Sequence, residues 1–531
     1  MARKALAGAV VLGLALTACG GSSSKDEGSG STGGSSSGSG GGKKTAIILG
    51  TTDTVTSLDP AGAYDLPSWT VIYNVYQNLL KIKEGTSTPV PDAASKCDFT
   101  DPTTYTCTLN AGLKFSDGTP LTAKDVKASF DRMVKINDPA GSASLLANLK
   151  STDATDDTTV TMHLDHADAT FPFVLTTGAG AIVEAAKFPA DKLLPSDQVV
   201  GSGPYKLTKY TAQQQAVFAV NDNYMGDDQL ANNAFIIQYF NQASALKLAI
   251  EKGDVDVAYR SLAPTDIAAL RKETDKGVQV VEGNGTEIRY LVMQLKQKPL
   301  DNKAVRQAIA QVIDRDAIAQ NAYDGTVTPL YSMIPQGLAG AGQPFKDKYG
   351  APDKAKAKAL LDAAGVKTPV PVDLWYTPTH YGPNSVDELT EIKRQLDSSG
   401  LFTATVKSTE WQEYQKAYKA GTYPVFQLGW FPDFPDPDNY SAPFLDGKGG
   451  YFQNNYINPQ LTALTAKEQG STDAATRDAT FAQIQKITAE DVPMIPVWQG
   501  KQIAAVRTGV TGVDKTFDPS FTFRFWLVGK S

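Results

Sequence analysis

Apolar runs and amphipathic helical patterns alternate along the chain, with turn-forming residues between them. In the N-terminal half, the apolar run at residues 45–49 is typical of a buried strand. Residues 69–80 and 123–135 carry helical patterns, and the second follows an N-cap threonine paired with an aspartate three positions later. Residues 105–109 and 159–164 alternate between apolar and polar side chains. They predict strands of a half-buried sheet.

An amphipathic helix is predicted directly after Asp301, which is placed to act as its N-cap. The apolar stripe of this helix consists of Val305, Ala308, Ile309, Val312 and Ile313. Lys303, Arg306 and Gln307 lie outside the stripe. We therefore expect Arg306 to orient a helix end or to pair with an acidic neighbour.

Helices and strands alternate through the remainder of the chain. The predicted helices cover residues 353–364 and 387–401, each followed by or ending near a glycine. The predicted strands cover residues 370–376, 403–407, 503–506 and 521–527. This alternation indicates the α/β class.

Length and composition narrow the possible functions. At roughly 150 residues per domain, a chain of 531 residues with 41% apolar side chains can form three or four compact units. The formal net charge is −7, so the basic excess of a nucleic-acid-binding protein is absent. Three cysteines, three histidines and a mean hydropathy of −0.25 argue against a disulfide scaffold and a multi-span membrane protein.

The N-terminus carries the pattern of a signal peptide. Arg3 and Lys4 precede an apolar run at residues 5–16 that is too short to span a bilayer. The run ends in a sequence around Cys19 that resembles the lipobox of bacterial lipoproteins, in which the cysteine is lipidated after cleavage. We expect a signal peptide at residues 1–18 and a lipid-anchored protein on the outer face of the cell membrane. The alternative is an ordinary cysteine beside an ordinary cleavage site.

A segment rich in glycine and serine follows Cys19. Residues 20–42 contain ten Gly, nine Ser and one Thr, with three charged side chains and no residue that could build a core. A chain of this composition has an r.m.s. reach of roughly 25–30 Å. Residues 19–43 are therefore predicted to be a lipid-anchored tether.

Cys97 and Cys107 flank two short strand patterns joined by a turn at Asp101-Pro102-Thr103. A three-residue loop would place the two cysteines opposite each other, and an extracytoplasmic compartment favours oxidation. We therefore expect a cross-strand disulfide. A redox-active pair is the alternative, but no Cys-x-x-Cys spacing is present.

The order of sequence motifs resembles the family 5 extracellular solute-binding proteins of ABC importers, which include dipeptide- and oligopeptide-binding lipoproteins. Nine motifs follow in family order, and they lie at residues 58–61, 73–76, 113–126, 201–205, 221–224, 253–256, 305–309 with 313–315, 359–361 with 364–365, and 430–439. The resemblance covers about residues 45–525.

The resemblance implies an α/β, two-lobed fold like that of periplasmic binding proteins, with an extra β-rich subdomain and a hinge between the lobes. The expected first lobe is discontinuous and consists of residues 44–80, 198–284 and 500–531. The extra subdomain is expected at residues 81–197 and the second lobe at residues 285–499.

The resemblance also places a ligand site in residues 429–440, where aromatic residues, acids and prolines occur together. By the family pattern, Asp433 pairs with the α-ammonium group of a peptide, and Trp430, Phe431 and Trp411 form aromatic walls. A turn-stabilising carboxylate is the alternative for Asp433, and core packing is the alternative for each tryptophan.

The chain departs from the family pattern where the ligand carboxylate is bound. Dipeptide-binding members carry an arginine near residues 375–383, and some oligopeptide-binding members carry one shortly before the Gly-Trp pair. Residues 375–383 and 421–428 of this chain contain neither Arg nor Lys. His380, Tyr381 and Gln427 are the nearest candidate ligand-binding residues, and none supplies a fixed charge. We therefore expect oligopeptides or another amine-bearing solute rather than strict dipeptide specificity.

Other functions remain as alternatives. His163 and His166 fall on opposite faces of a predicted strand, which disfavours a metal site, and we expect no metal or cofactor. No histidine lies near a nucleophile motif, so catalysis would need a glycosidase-like pair within Asp433, Asp436 and Asp438. A sugar or metal complex as ligand, and a passive adhesin, are further alternatives. The expected partners of this monomeric, non-enzymatic protein are a peptide, an ABC permease and its ATPase subunits.

Overall fold

A long mixed β-sheet runs through the folded part of the chain. In the computed structural model, residues 46–260, 262–378, 380–447 and 450–531 are described. The predicted signal peptide, Cys19 and the tether lie outside the described residues.

The strands, in chain order, are β1 (Ala46–Thr51), β2 (Leu80–Ile82), β3 (Pro89–Pro91), β4 (Ala94–Asp101), β5 (Thr104–Leu109), β6 (Leu149–Ala154), β7 (Thr159–Leu164), β8 (Tyr205–Thr211), β9 (Gln215–Val220), β10 (Ala234–Tyr239), β11 (Val257–Tyr259), β12 (Val278–Met293), β13 (Val327–Pro329), β14 (Val370–Tyr376), β15 (Phe402–Ser408), β16 (Val425–Trp430), β17 (Met494–Arg507), β18 (Val510–Thr511) and β19 (Gly529–Lys530).

The α-helices are α1 (Leu66–Val75), α2 (Ala123–Ile136), α3 (Phe171–Val174), α4 (Ala243–Lys252), α5 (Pro264–Leu270), α6 (Lys303–Val312), α7 (Arg315–Asn321), α8 (Pro344–Tyr349), α9 (Lys354–Ala363), α10 (Ser385–Ser399), α11 (Trp411–Lys419), α12 (Ala442–Leu445), α13 (Pro459–Gln469) and α14 (Ala474–Asp491). Among the described residues, no helix combines the length and hydrophobicity needed to span a bilayer.

The long sheet has two halves that share the strands β12 and β17. Its strand order within the described residues is β15-β14-β16-β12-β17-β11-β1-β10-β9-β8, with β13 paired to β17. Residues 278–284 of β12 pair with residues 501–507 of β17, and after a register shift residues 288–292 pair with residues 494–499. The two long antiparallel strands therefore pass from one half of the sheet to the other, with an irregularity at the crossing.

A separate four-stranded antiparallel sheet, of order β4-β5-β7-β6, packs under α2. Its apolar core contains Phe115, Phe130 and Phe171 from the same part of the chain. Phe434 also packs into this core and lies 5.8 Å from the ring of Phe173. The segment after β16 therefore contacts the four-stranded subdomain directly.

Most of the predicted elements are confirmed, and so is the predicted disulfide. Cys97 lies opposite Cys107 in the β4–β5 register, and the two are bonded. Helix α2 begins after Thr122, whose backbone N–H donates to Asp125 at 2.9 Å, as the capping pattern predicted. Asp353 caps α9, and Gly400 ends α10 with a positive φ of 69°.

Three predictions about local structure are wrong. The helix predicted at residues 69–80 covers Leu66–Val75, because Asp65 caps its start and Tyr76 has extended backbone. The cap of α6 is Asn302 rather than Asp301, since the Asn302 side chain accepts from the backbone of residue 304. Arg306, in contrast, is buried and donates to the carbonyls of Leu300 and of Asp491, the last residue of α14, so it binds a helix end as expected rather than an acidic side chain.

The third wrong prediction is a strand at residues 521–527. Phe525–Leu527 is a short 3-10 helix, and the residues before it have no regular structure. The backbone N–H of Phe525 donates to the Asn74 side chain at 2.9 Å, and the Asn74 amide donates to the carbonyl of Phe523. A buried asparagine side chain replaces the strand partner that this apolar run would otherwise require.

Candidate functional site

The segment that follows β16 is held rigidly at both ends. Strand β16 is buried up to Gly429, and the polypeptide then runs through three prolines into a 3-10 helix, Pro437–Tyr440. Asp436 caps this helix by accepting from the backbone of Asp438, and the Arg477 guanidinium binds Asp436 with two hydrogen bonds of 2.7 and 2.8 Å. Asp436 therefore stabilises the turn, the role that favours Asp in such positions. The Asp438 side chain accepts from Gln469 Nε2 at 3.1 Å.

Asn439 fixes the geometry of the candidate ligand residues. Its Oδ1 accepts from Trp430 Nε1 at 3.0 Å and from the backbone N–H of Asp433 at 2.9 Å. Its Nδ2 donates to Asp433 Oδ2 at 3.1 Å. One amide side chain therefore orients both the indole and the carboxylate.

Asp433 is a partly buried carboxyl group, and it forms no ion pair within the described part of the chain. Burial raises its pKa from 3.8 to about 6, while hydrogen bonds from Asn439 and Tyr64 oppose that rise. Tyr64 and Tyr73 belong to the loop and helix after β1, and burial together with the Asp433 carboxylate raises the pKa of both hydroxyls. Asp433 therefore lies where the segment after β16 meets the first half of the molecule, with binding capacity left for a cation.

Two aromatic groups surround the segment. Trp430 packs edge-on against Phe444 at 5.0 Å and keeps part of its ring accessible. Trp411, at the start of α11, stacks flat on His380 with ring centroids 3.7 Å apart, and Tyr381 lies 5.6 Å away. Loss of solvent around the ring, with the nearby Arg289, lowers the pKa of His380 to about 4, so His380 is neutral at pH 7.

Arg289 connects these two groups. Its guanidinium carbon lies 4.4 Å from the Tyr381 ring, 4.9 Å from the Trp498 ring and 6.0 Å from the Phe431 ring. The Arg289 side chain is 4% exposed and pairs with Glu287 at 2.6 Å. Six of the predicted site residues, 380, 381, 411, 430, 431 and 433, therefore lie in one continuous region.

Gln427 lies apart from that surface. It is completely buried within β16, next to the buried Glu388, which accepts hydrogen bonds from Tyr323 and Trp498. The Gln427 side chain therefore lies in the protein interior and not beside the accessible aromatic residues.

A cavity of about 230 Å³ opens beside Phe431, where β12 and β17 cross between the two halves of the sheet. The aromatic residues that line it are Tyr259, Tyr323, Phe431, Trp498 and Phe521. Its charged residues are Arg260, Glu287 and Lys501. Arg260 lies with its guanidinium carbon 5.2 Å from the Phe431 ring.

Sequence reasoning missed Tyr64, Arg260, Arg289 and Asn439. Asn439 lies within a segment that was singled out, and an amide six residues after a candidate carboxylate is a signal that could have been used. Tyr64 and the two arginines are far from the segment in sequence and carried no local signal.

In residues 46–260, 262–378, 380–447 and 450–531, no group of three His, Cys, Asp or Glu side chains has the geometry of a metal site. His163 Nε2 lies 3.3 Å from Asp153 Oδ2 on the surface of the four-stranded sheet.

Comparisons with known proteins agree on one family. The family model described as bacterial extracellular solute-binding proteins, family 5, middle part, matches residues 88–452. A probable D,D-dipeptide-binding periplasmic protein of Escherichia coli is 27% identical over 479 residues, which cover 88% of this chain and 90% of that protein. Heme-binding protein A of Haemophilus influenzae is 27% identical over 469 residues, which cover 82% and 84%.

The fold is shared with solved structures. The crystal structure of Haemophilus influenzae OppA in complex with the peptide RPPGFSPFR has a TM-score of 0.72 and 22% identity, with 92% of this chain and 99% of that chain covered. At this identity the similarity shows the fold alone, which is the two-lobed fold of periplasmic binding proteins. The matched family model spans more than half of the sequence, so the chain belongs to family 5 of the bacterial extracellular solute-binding proteins.

Proposed function

We propose that this protein captures peptides outside the cytoplasmic membrane and delivers them to an ABC permease, whose ATPase subunits supply the energy. The observation that carries the proposal is Asp433, a carboxylate with a pKa raised by burial and with no cationic partner among the described residues. Relatives named as peptide-binding proteins support a peptide as the ligand.

Asp433 is suited to bind an α-ammonium group. Water around the carboxylate is partly excluded, and among the described residues Asn439 and Tyr64 donate to it. An ammonium group brings a positive charge and up to three donors, so it compensates the carboxylate far better than a neutral ligand would. The site would therefore select ligands that carry a free amine.

The aromatic residues are proposed to receive the ligand side chains. Trp430 and Phe431 shortly precede Asp433 in sequence. Trp411, His380 and Tyr381 form the adjacent stack. Rigid rings bury apolar side chains of many shapes with little loss of conformational entropy. Gln427 is assigned no ligand contact here, because its side chain is completely buried.

Capture is proposed to involve closure of the two lobes. The lobe boundaries near residues 284/285 and 499/500 are supported by the irregular pairing of β12 and β17 between residues 284 and 288. Two strands with an interrupted ladder can bend at that point with little loss of hydrogen bonding. The subdomain at residues 81–197 is proposed to move with the first lobe.

The location is proposed from the N-terminal sequence. Lipidation of Cys19 would anchor a monomeric protein to the outer face of the membrane, and residues 19–43 would serve as the tether. Metabolic labelling with an alkyne fatty acid, compared between the natural sequence and Cys19→Ser, tests this. Equal labelling of the two would contradict the anchor.

Isothermal titration calorimetry with the purified protein tests the main proposal. The ligands are a series of peptides from two to nine residues, each with a free and an acetylated N-terminus, and a set of amine-bearing compounds that are not peptides. We expect acetylation to abolish binding, and Asp433→Asn to weaken the free peptide by roughly 10- to 100-fold. Asp222→Asn is the matched control, since that side chain is 85% exposed.

Three results would contradict the proposal. Equal affinity for free and acetylated peptides would exclude Asp433 as an ammonium anchor. Binding of amine-bearing non-peptides alone would leave the anchor in place but would change the class of solute. Turnover of peptides or glycosides on incubation would show an enzyme instead of a binding protein.

A further inference from the structure

Arg260 has one end of its guanidinium group uncommitted. It follows β11 and lines the cavity beside Phe431, and its side chain is 25% exposed. Nε lies 3.3 Å from Asp53 Oδ2, and Nη1 is buried without a hydrogen-bond partner among the described residues. A buried guanidinium N–H without an acceptor is unusual in a folded protein, so the hydrogen-bonding capacity of Arg260 is only partly used by the described residues.

The other cations near the cavity, Arg289 and Lys501, both pair with acids, although Arg289 Nε is also buried without a hydrogen-bond partner among the described residues. Arg289 pairs with Glu287 at 2.6 Å and donates to the carbonyl of Ile288 at 3.1 Å. Lys501 pairs with Glu282 at 3.2 Å. Glu287 is the acidic residue that lines the cavity, and its pairing with Arg289 offsets its charge. Arg260 is therefore the cation best placed to serve a ligand.

The backbone at Arg260 supports a functional role. Its φ is +61°, in the left-handed region that a residue with a long side chain rarely adopts. Such strain persists where the surrounding structure holds a side chain in a required position, and it is concentrated at binding and active sites.

Phe431 separates Arg260 from Asp433. The Arg260 guanidinium carbon lies 5.2 Å from the Phe431 ring, and Asp433 follows two residues later along an extended, proline-rich segment. The cavity of about 230 Å³ is smaller than a typical site for a whole ligand and suits one end of it. One ligand could thus place an amine at Asp433 and an anionic group beyond Phe431.

We propose that Arg260 binds a carboxylate group of the ligand in this cavity, so that the ligand of this protein is a zwitterion. The inference rests on the proposed function and adds its second anchor. Arg260 supplies, from another part of the chain, the fixed positive charge that residues 375–383 and 421–428 lack. The guanidinium presents several N–H donors in one plane, a geometry that matches a carboxylate.

Calorimetry with paired peptides tests the proposal and identifies the source of the carboxylate. One pair is trialanine with a free or an amidated C-terminus, and the other is Ala-Glu-Ala-amide with Ala-Gln-Ala-amide. We expect one pair to differ by roughly 10- to 100-fold in affinity for the natural sequence. A difference in the first pair assigns the C-terminal carboxylate, and a difference in the second assigns an acidic side chain.

Variants then connect that difference to Arg260. In Arg260→Gln the acidic and neutral members of the pair should bind equally, and Arg260→Lys should keep part of the difference. Arg394→Gln is the matched control, because Arg394 is 60% exposed and pairs with Glu391 on the surface. Thermal unfolding curves show whether each variant is folded. The comparison of acidic with neutral peptides on the natural sequence does not depend on any variant.

The outcomes separate the two proposals. If N-acetylation abolishes binding but neither pair of peptides differs, the role of Arg260 is refuted and the proposed function stands. If a pair differs equally in the natural sequence and in a folded Arg260→Gln, another residue binds the carboxylate. If no peptide binds the natural sequence in any form, both proposals fail.

Discussion

Asp433 should make the ligand-free protein less stable than it would be without the charge. Burial raises the pKa of this carboxyl from 3.8 to about 6, so the folded protein disfavours the ionised form that predominates at pH 7. Asp433→Asn removes the charge but keeps the shape of the side chain. The Asn439 amide can still donate to the new side-chain oxygen, and the hydrogen bond from the Asp433 backbone N–H to Asn439 is unaffected.

The magnitude follows from linkage. The difference between 3.8 and about 6 corresponds to about 3 kcal/mol at pH 7 and above. The carboxyl group is partly accessible to solvent, which reduces the expected gain for Asp433→Asn to about 1–2 kcal/mol. Because the folded protein binds the proton more tightly than the unfolded chain, the penalty is fully present above pH 6. It falls to roughly half by pH 5 and is largely gone near pH 4.

Urea unfolding of the ligand-free protein at pH 8, 6, 5 and 4 measures this effect. The quantity of interest is the difference in unfolding free energy between Asp433→Asn and the natural sequence, in which the titration of other buried acids cancels. Asp222→Asn should show no difference at any pH. A variant that is less stable than the natural sequence at pH 8, or a difference that is constant from pH 8 to 4, would refute the reasoning.

Three further predictions concern the same region. Peptide affinity should fall about 10-fold from pH 7.5 to pH 5 as Asp433 is protonated, and calorimetry should show no such fall in Asp433→Asn. Asn439→Ala leaves Trp430 Nε1 and the Asp433 backbone N–H without their acceptor and should cost about 2–3 kcal/mol in urea unfolding; a loss below about 0.5 kcal/mol would contradict its bracing role. In Gly429→Ala the new Cβ would lie 2.6 Å from Arg289 Cζ, so we expect a loss of about 1–3 kcal/mol, and an unchanged unfolding midpoint would contradict the close packing.

Local sequence patterns predicted those elements that are stabilised by local interactions. Helix α2 has its own capping residues and α10 ends at a glycine, so both could be recognised from a short window. Residues 370–376 are a strand exactly as their apolar alternation predicts. In these cases hydrophobic periodicity and end signals agree, and no distant residue is needed to decide between helix and strand.

The wrong predictions occur where a distant residue decides the conformation. Residues 521–527 are apolar enough for a strand, but their backbone groups bind the side chain of Asn74, about 450 positions earlier. The apolar pattern of residues 69–80 continues past the end of α1, because residues 76–80 are buried by other parts of the fold. Periodicity reports burial, and it cannot tell which partner buries a residue.

The candidate site divides in the same way. The part that contains the Asp433 carboxylate is local in sequence, and its composition could be recognised directly. It consists of Trp430, Phe431, Asp433 and Asn439, which lie within ten residues of one another. The cationic part of the site is assembled by strand pairing. Arg289 lies opposite Gly429 in the β12–β16 register, 140 positions earlier in the chain, and a search for arginine near the segment could not find it.

Gly429 explains why that pairing places a charge at the site. A side chain at position 429 would occupy the space of the Arg289 guanidinium, so the absence of a Cβ allows Arg289 to lie across the strand between Tyr381 and Trp498. Arg289 in turn pairs with Glu287, so the negative charge of Glu287 is offset. Arg260, which also lines the cavity, pairs with Asp53 instead. Gly429 therefore has a role beyond strand pairing in β16, because the room that it leaves for Arg289 sets the charge balance around the cavity. If Arg260 binds a carboxylate as proposed, the same charge balance sets the kind of ligand end that the cavity accepts.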